Sequence, residues 1–204
     1  QKIWQGIREV WISPYTERSF KWRQRYLNNP ENVYPSLLVI PGVNVDYSGV
    51  VITQNVNNGR EDEITAAFSR GVGGAVDGQR AETYTIFPTG HIAMLSPARE
   101  VNYLYLPQTG GTNKGVDRLA NPLLNLRNLT SIKNLSDFVE ANYPREAGSA
   151  PITYDMEMGF KDDHLWLFQV RPFVENKQAA ASGYLQSINP RYEPYQPVDL
   201  TQKI

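Results

Sequence analysis

The stretch DMEMGFKDDHLWLFQVRP, residues 155–172, alternates polar and apolar side chains on both sides of a short charged break. Period-two alternation marks a strand with one wet and one dry face, and two such runs around a polar break read as an antiparallel hairpin. With the turn centred on Asp163, cross-strand partners sum to 326, so Glu157 faces Gln169 and Asp155 faces Arg171. All four then project from one side. The other side carries Tyr154, Met156, Met158, Trp166, Phe168 and Val170, which predicts a buried apolar face. Such a polar face has two readings. Magnesium takes oxygen ligands and binds through one or two carboxylates plus substrate phosphates, so Glu157 and the Gln169 carbonyl suit a metal, Asp155 a supporting contact and Arg171 a phosphate. The other reading is a solvated face with an Asp155–Arg171 surface pair, which contributes little.

The wider composition narrows the class. At 204 residues, 41% hydrophobic and 20% charged, the chain is long enough to bury a real core. A formal net charge of −1 gives no electrostatic footprint for nucleic acid or an anionic membrane. No run approaches the roughly 20 apolar residues of a membrane helix. The absence of cysteine excludes disulfides, thiolate zinc sites and cysteine nucleophiles, and fits a reducing, cytoplasmic setting. The opening QKIWQGIREVW shows neither initiator methionine nor signal peptide and reads as a piece of a longer protein.

Ile3, Trp4, Ile7, Val10 and Trp11 fall at helical spacing over residues 2–12. Ser13-Pro14 breaks that helix, Thr16 caps a second running to about Leu27, and Asn29-Pro30 ends it. Trp4, Trp11, Phe20 and Trp22 are expected in core or helix–helix packing. From Pro35 the period changes: SLLVIP, SGVVIT, EITAAFS, TYTIF, HIAML and NYLYLP are short strands, mostly antiparallel because their connections are too short for crossover helices. Residues 107–129 read as loop and short helix, including a mobile TGGTNKG that lacks the P-loop pattern. Ile132, Leu135, Phe138 and Val139 mark a third helix, with Leu129 as lead-in and Ser136 capping its later turns. Residues 176–204 form an extended tail or linker. Asp77 and Glu82 read as solvated, NGREDE at 58–63 as a polar loop, His91 and His164 as ordinary strand or turn residues, and Ser48 has no partner histidine.

Four segments, in order, resemble the nucleotide-binding domain of the phosphoenolpyruvate synthase and pyruvate phosphate dikinase family. DMEMGF followed by LWLFQVRPF is similar to its closing hairpin, an Asp-x-Glu strand and then Gln-x-Arg-Pro, with Gln169 12 positions after Glu157. IREVWISPYTERSFKWRQ resembles its helical segment with a central Arg, DYSGVVIT its Ser-Gly-Val strand, and AFSRGVGGAVDGQ its Gly-x-Gly turn. The resemblance covers the chain to about residue 175 and implies the C-terminal part of an ATP-grasp domain over 1–175: an α+β lobe, mainly antiparallel sheet with flanking helices.

The resemblance further implies ATP and Mg2+ as cofactors, Glu157 and Gln169 as metal ligands, Asp155 and Arg171 at the nucleotide, and Arg171 as the catalytic cation. The parent would pass a phosphoryl group from Mg-ATP to a phosphohistidine domain and on to a pyruvate-like acceptor, while this fragment alone would be inactive. The departures imply an alternative, a degenerate module with a structural or regulatory role. The adenine-hinge position is Ile40-Pro41-Gly42, the family's Thr-Arg-Asp-Pro is Thr53-Gln54-Asn55-Val56, and its Gly-Leu-Gly-Glu is Gly71-Val72-Gly73-Gly74. These lose a cation and a carboxylate. A sugar-binding β domain, suggested by 12 Tyr and 4 Trp, is the third reading, and core packing accounts for those residues better.

Overall fold

The computed structural model describes residues 2–75, 78–118, 121–143, 152–174 and 183, and divides into two units, 1–43 and 44–204. The tail expected over 176–204, apart from residue 183, and Asp77 lie outside the described residues.

In the first unit, helix α1 (Lys2–Ile12) gives way to a 3-10 turn over Ser13–Tyr15, where Pro14 cannot donate to the helical ladder, and α2 (Glu17–Tyr26) follows. Thr16 stands at the α2 N-cap without capping it, because its hydroxyl donates to the Ser13 carbonyl at 2.9 Å instead. Arg23 is the one buried side chain among those described here, its Nη1 donating to the Pro30 carbonyl at 2.9 Å and its guanidinium lying 5.3 Å from the Tyr15 ring centre. Trp4, Trp11, Phe20 and Trp22 are exposed, contrary to the packing expected of them, because a unit of two short helices has no second layer to enclose them. SLLVIP is not a strand either: residues 36–41 pair with no described strand, and Leu38, Val39 and Ile40 are exposed.

The second unit is α+β, as expected. Strands β1 (Tyr47–Ile52), β2 (Ile64–Arg70), β3 (Glu82–Ile86), β4 (Ile92–Ser96), β7 (Tyr154–Lys161) and β8 (His164–Pro172) form one antiparallel sheet in the order β4-β3-β2-β1-β7-β8. Strands β5 (Asn102–Tyr105) and β6 (Asn113–Val116) make a separate hairpin. The TGGTNKG stretch, expected as a loop, is therefore half strand: Gly110 and Gly111, at φ +81° and +78°, turn the chain and Asn113 begins β6. Helix α3 (Leu126–Asn142) packs Leu129, Ile132 and Val139 into a core with Val51, Ala66, Phe68, Tyr84, Met156 and Phe160. Phe138 is exposed on its outer side, and Ser136 is a buried mid-helix residue whose hydroxyl donates to Ile132. The cap lies earlier than expected: Asn125 and Asn128 exchange side chain-to-backbone hydrogen bonds at 2.9 and 3.0 Å, so Leu129 is inside the helix.

Gly49 explains the small residue within SGVV. A Cβ there would lie 2.3 Å from the Ala67 carbonyl oxygen and 2.5 Å from Cγ of Phe68, whose ring covers the glycine across the strand pair.

Glu82 is the largest departure from its expected solvation, being only 1% exposed. Its carboxylate accepts from the Leu123 amide at 3.0 and 2.9 Å, the Leu124 amide at 3.0 Å and the Tyr84 hydroxyl at 2.7 Å. Burial and, after it, the hydrogen bond to Glu82 push the Tyr84 phenol above its ordinary value. The carboxylate thus stitches β3 to the approach to α3. Glu82→Ala should strand two backbone donors and one hydroxyl and lower stability by about 3 kcal/mol, with Glu82→Gln intermediate because it retains one acceptor. Denaturant unfolding of the three chains measures this; equal midpoints would refute it.

Candidate functional site

The hairpin forms, and its register has a cause. The turn is the two residues Asp162 and Asp163, both at positive φ (50° and 61°), a conformation aspartate tolerates better than most residues. This short turn pairs Lys161 with His164, Gly159 with Trp166 and Met158 with Leu167. Carried onward unchanged, it would set Gln169 opposite Met156 and Arg171 opposite Tyr154, on the core face. A bulge intervenes after Met158, and beyond it Glu157 pairs with Gln169 and Asp155 with Arg171. The four expected residues share one face.

The two-residue turn and the bulge together overturn part of the expected dry face. Tyr154, Met156 and Met158 are buried, but Trp166 is 46% and Phe168 40% exposed. Trp166 pairs with Gly159 and so stands on the face of Glu157, while Phe168 is the extra residue of the bulge. Strand β8 is also the sheet edge, which leaves it half covered.

Asp155 and Arg171 form the tight contact of the site. Nε and Nη2 of Arg171 both donate to Oδ2 of Asp155, at 2.9 and 2.7 Å. Asp155 is 14% exposed and Arg171 57%, so a sheltered carboxylate holds an outward guanidinium in place. The hydrogen bond from Arg171 to Asp155, then the charges of Asp155 and Glu157, raise the guanidinium above its ordinary value. The side chains of Glu157 and Gln169 carry no hydrogen bond to any described residue, so their oxygens are uncommitted among those residues. Toward the sheet interior Glu157 neighbours Val50 and Asp155 neighbours Ile52. Thr65, Ala67 and Ser69 of β2 continue this face. An oxygen-donor set without internal partners fits a hard cation, and the fixed guanidinium fits a phosphate.

Two anchors that the sequence reading did not single out hold the hairpin tip. Asp46 accepts from Lys161 Nζ at 3.0 Å and from the Asp162 amide at 2.8 Å. Asp163 Oδ1 accepts from the side-chain Nδ2 of both cap residues of α3, Asn125 at 3.2 Å and Asn128 at 3.0 Å. The Asn-x-x-Asn spacing before a helix was a legible capping signal; the partners of Asp46 and Asp163, over 30 residues away, were not. His91 and His164 are exposed, and among the described residues no group of three or more His, Asp or Glu is placed to hold a metal. Residues 71–75 form a bend with Gly71 and Gly73 at positive φ. No helix among the described residues is long and apolar enough to cross a membrane.

The second unit is an antiparallel α+β lobe that gathers carboxylate, carboxamide and guanidinium on one face. The chain belongs to the family described as pyruvate phosphate dikinase, AMP/ATP-binding domain, which it matches over residues 1–189. It is also similar to alpha-glucan water dikinase, chloroplastic, from Citrus reticulata, at 33% identity over 73 residues, and to the protein of that name from Solanum tuberosum, at 30% over 73 residues. The similarity covers 36% of this chain and spans 5% of the length of each relative.

Two outcomes follow. Because the chain has no cysteine, engineered pairs report the register directly. Glu157→Cys with Gln169→Cys should oxidise readily to a disulfide, whereas Met156→Cys with Gln169→Cys should stay reduced, as read by mass spectrometry. The second concerns pH. Burial opposes ionisation of Asp46, but the Asp162 amide, Lys161 and Arg70 together hold its carboxyl below the ordinary 3.8. A depressed folded pKa gives stability that is present above the ordinary value and lost as pH falls through the folded one. Melting curves from about pH 6 to about pH 2 should therefore show an acid loss that is smaller in Asp46→Asn.

Proposed function

We propose that this chain is the C-terminal part of the ATP-binding domain of a phosphotransferase of the phosphoenolpyruvate synthase and pyruvate phosphate dikinase type, working in a cytoplasmic setting. The observation that carries the reading is the placement of Glu157, Gln169 and the Asp155-held Arg171 on one face. Glu157 and Gln169 are the residues that would hold magnesium, their side-chain oxygens having no hydrogen-bond partner among the described residues. When bound, the ion supplies positive charge against the phosphate oxygens. Asp155 fixes the plane of the Arg171 fork, so that its exposed edge meets phosphate without first losing rotamer freedom. Arg171 then stabilises charge on the transferring group. A histidine on another domain of the parent receives the phosphoryl group and passes it to the final acceptor. The family name favours a pyruvate-like acceptor, and the relatives' names favour an α-glucan and water.

A second reading has its own support. At the position of the family's cation, Gln54 is spent internally, donating to the Gly59 carbonyl at 3.2 Å and accepting from Thr153 at 3.3 Å. At the position of the family's carboxylate, a Cβ on Gly74 would lie 2.3 Å from Gln79 Oε1 and 2.9 Å from Ser69 Cβ, so no larger residue fits without movement. These fit a module retained for assembly or regulation.

The parent protein separates the two. Glu157→Gln keeps shape and an acceptor oxygen but removes the charge, and should lower magnesium-dependent ATP consumption by about 100-fold or more with thermal stability unchanged. Arg171→Lys should lose a comparable factor because an ammonium cannot form the planar fork. Wild-type turnover in either variant removes that residue from the mechanism. A parent that consumes no ATP with any acceptor favours the assembly module. Calorimetry of this chain with Mg-ATP should show weak binding or none.

A further inference from the structure

A second concave site lies in the same unit, far from the carboxylate face. Tyr47 is five residues along β1 from Ile52, the partner of Asp155, which separates the two places by roughly 17 Å along the strand. A cavity of about 320 Å³ opens there, lined by Asn44, Asp46, Tyr47, Arg70, Tyr103 and Tyr105. That is the lower end of the size range of small-molecule sites.

Its aromatic wall is built rather than incidental. Tyr103 and Tyr105 alternate along β5 and so share a face, with ring centres 6.4 Å apart and planes tilted by 50°. Tyr103 lies across Gly115, its partner on β6, where a Cβ would come within 2.4 Å of the ring. Gly71, at φ +71°, gives way to the same ring, since its Cβ would sit 2.8 Å from Tyr103 Cδ2 and 2.0 Å from the Leu104 carbonyl oxygen. Two absent side chains thus seat one tyrosine.

The polar wall is oriented too. Arg70 Nε donates to Asp117 while its guanidinium stands 5.2 Å from the Tyr47 ring centre. Asn44 Oδ1 accepts from the Leu106 amide at 2.7 Å, which directs the side-chain NH2 elsewhere. Asp46 is held by Lys161 and the Asp162 amide. The charges balance: Asp46 and Asp117 offset Lys161 and Arg70.

These features select a ligand class. Balanced charge with two carboxylates nearby disfavours a phosphate or a carboxylate. Rings tilted by 50° cannot clamp a flat nucleobase between parallel faces. A sugar ring meets both conditions, since its C–H faces lie against tilted aromatic rings and its hydroxyls both donate and accept around the rim. We propose that this cavity is a saccharide-binding site with room for one or two neutral sugar rings, Tyr103 and Tyr105 forming the apolar wall and Asn44, Asp46 and Arg70 the hydroxyl contacts. The site goes beyond the phosphoryl-transfer reading and does not depend on it.

The test titrates the full chain with maltotriose, cellotriose, adenosine and inorganic phosphate, followed by calorimetry and by amide chemical shifts. At least one trisaccharide should saturate with a Kd of about 1 mM, moving the amides of residues 44–47 and 103–105. Tyr105→Ala should weaken it about tenfold or more, Tyr105→Phe much less, and Glu157→Gln not at all. The proposal is overturned if neither trisaccharide saturates, if the shifts map elsewhere, if folded Tyr105→Ala binds as well as wild type, or if adenosine or phosphate is the ligand that depends on Tyr105. Should Tyr105→Ala fail to fold, the shift map of the unaltered chain decides. Loss of Mg-ATP chemistry in Glu157→Gln with saccharide binding intact would separate the two sites.

Discussion

The sheet depends on how strand β7 is paired. It is covered on one side by β1 and on the other by β8, and it supplies Tyr154, Met156, Met158 and Phe160 to the core from alternate positions. Its remaining positions, Asp155 and Glu157, must then face away. Period-two geometry makes this an all-or-none arrangement, because a slip of one residue would drive two carboxylates into the core. The polar face is thus secured by the cost of the alternative.

Strand β8 obeys the same constraint by a different device. The Asp162–Asp163 turn is as short as a hairpin allows, and by itself it sets the wrong parity for Gln169 and Arg171. One extra residue corrects it. Bulges commonly appear at sheet edges, where they re-aim side chains, and this one turns Gln169 and Arg171 to the face of Glu157 and Asp155 while leaving Phe168 half exposed. The two-residue turn, which sets Trp166 opposite Gly159, places that ring beside the carboxylate face rather than in the core.

Long-range polar contacts then join the hairpin to the rest of the unit. Asp46 grips the turn from the approach to β1, and Asp163 reaches the capping asparagines of α3. Glu82 ties β3 to the segment before the same helix. Three carboxylates, each satisfied by donors distant in sequence, meet around one helix N-terminus and one turn. The buried Glu82 and half-buried Asp46 are tolerated because each has its donors.

Much of this was legible in the chain. Short apolar or alternating runs located all six strands of the sheet and β5, since alternation follows from backbone geometry alone. The helical spacing of Ile132, Leu135, Phe138 and Val139 was legible for a similar local reason. The pairing of Glu157 with Gln169 and Asp155 with Arg171, by contrast, came from a turn centred on Asp163 and is reached by the Asp162–Asp163 turn plus a bulge. Other features had no local signal. Whether Trp4, Trp11, Phe20 and Trp22 are buried depends on a second layer that their own spacing cannot supply. SLLVIP has the composition of a strand but no partner, and β6 has a partner but the composition of a loop. Glu82 looked solvated because its three donors come from residues 84, 123 and 124, which only folding brings together. The sequence by itself determined which residues alternate; the tertiary structure decided which face was dry, because burial belongs to what packs against a residue.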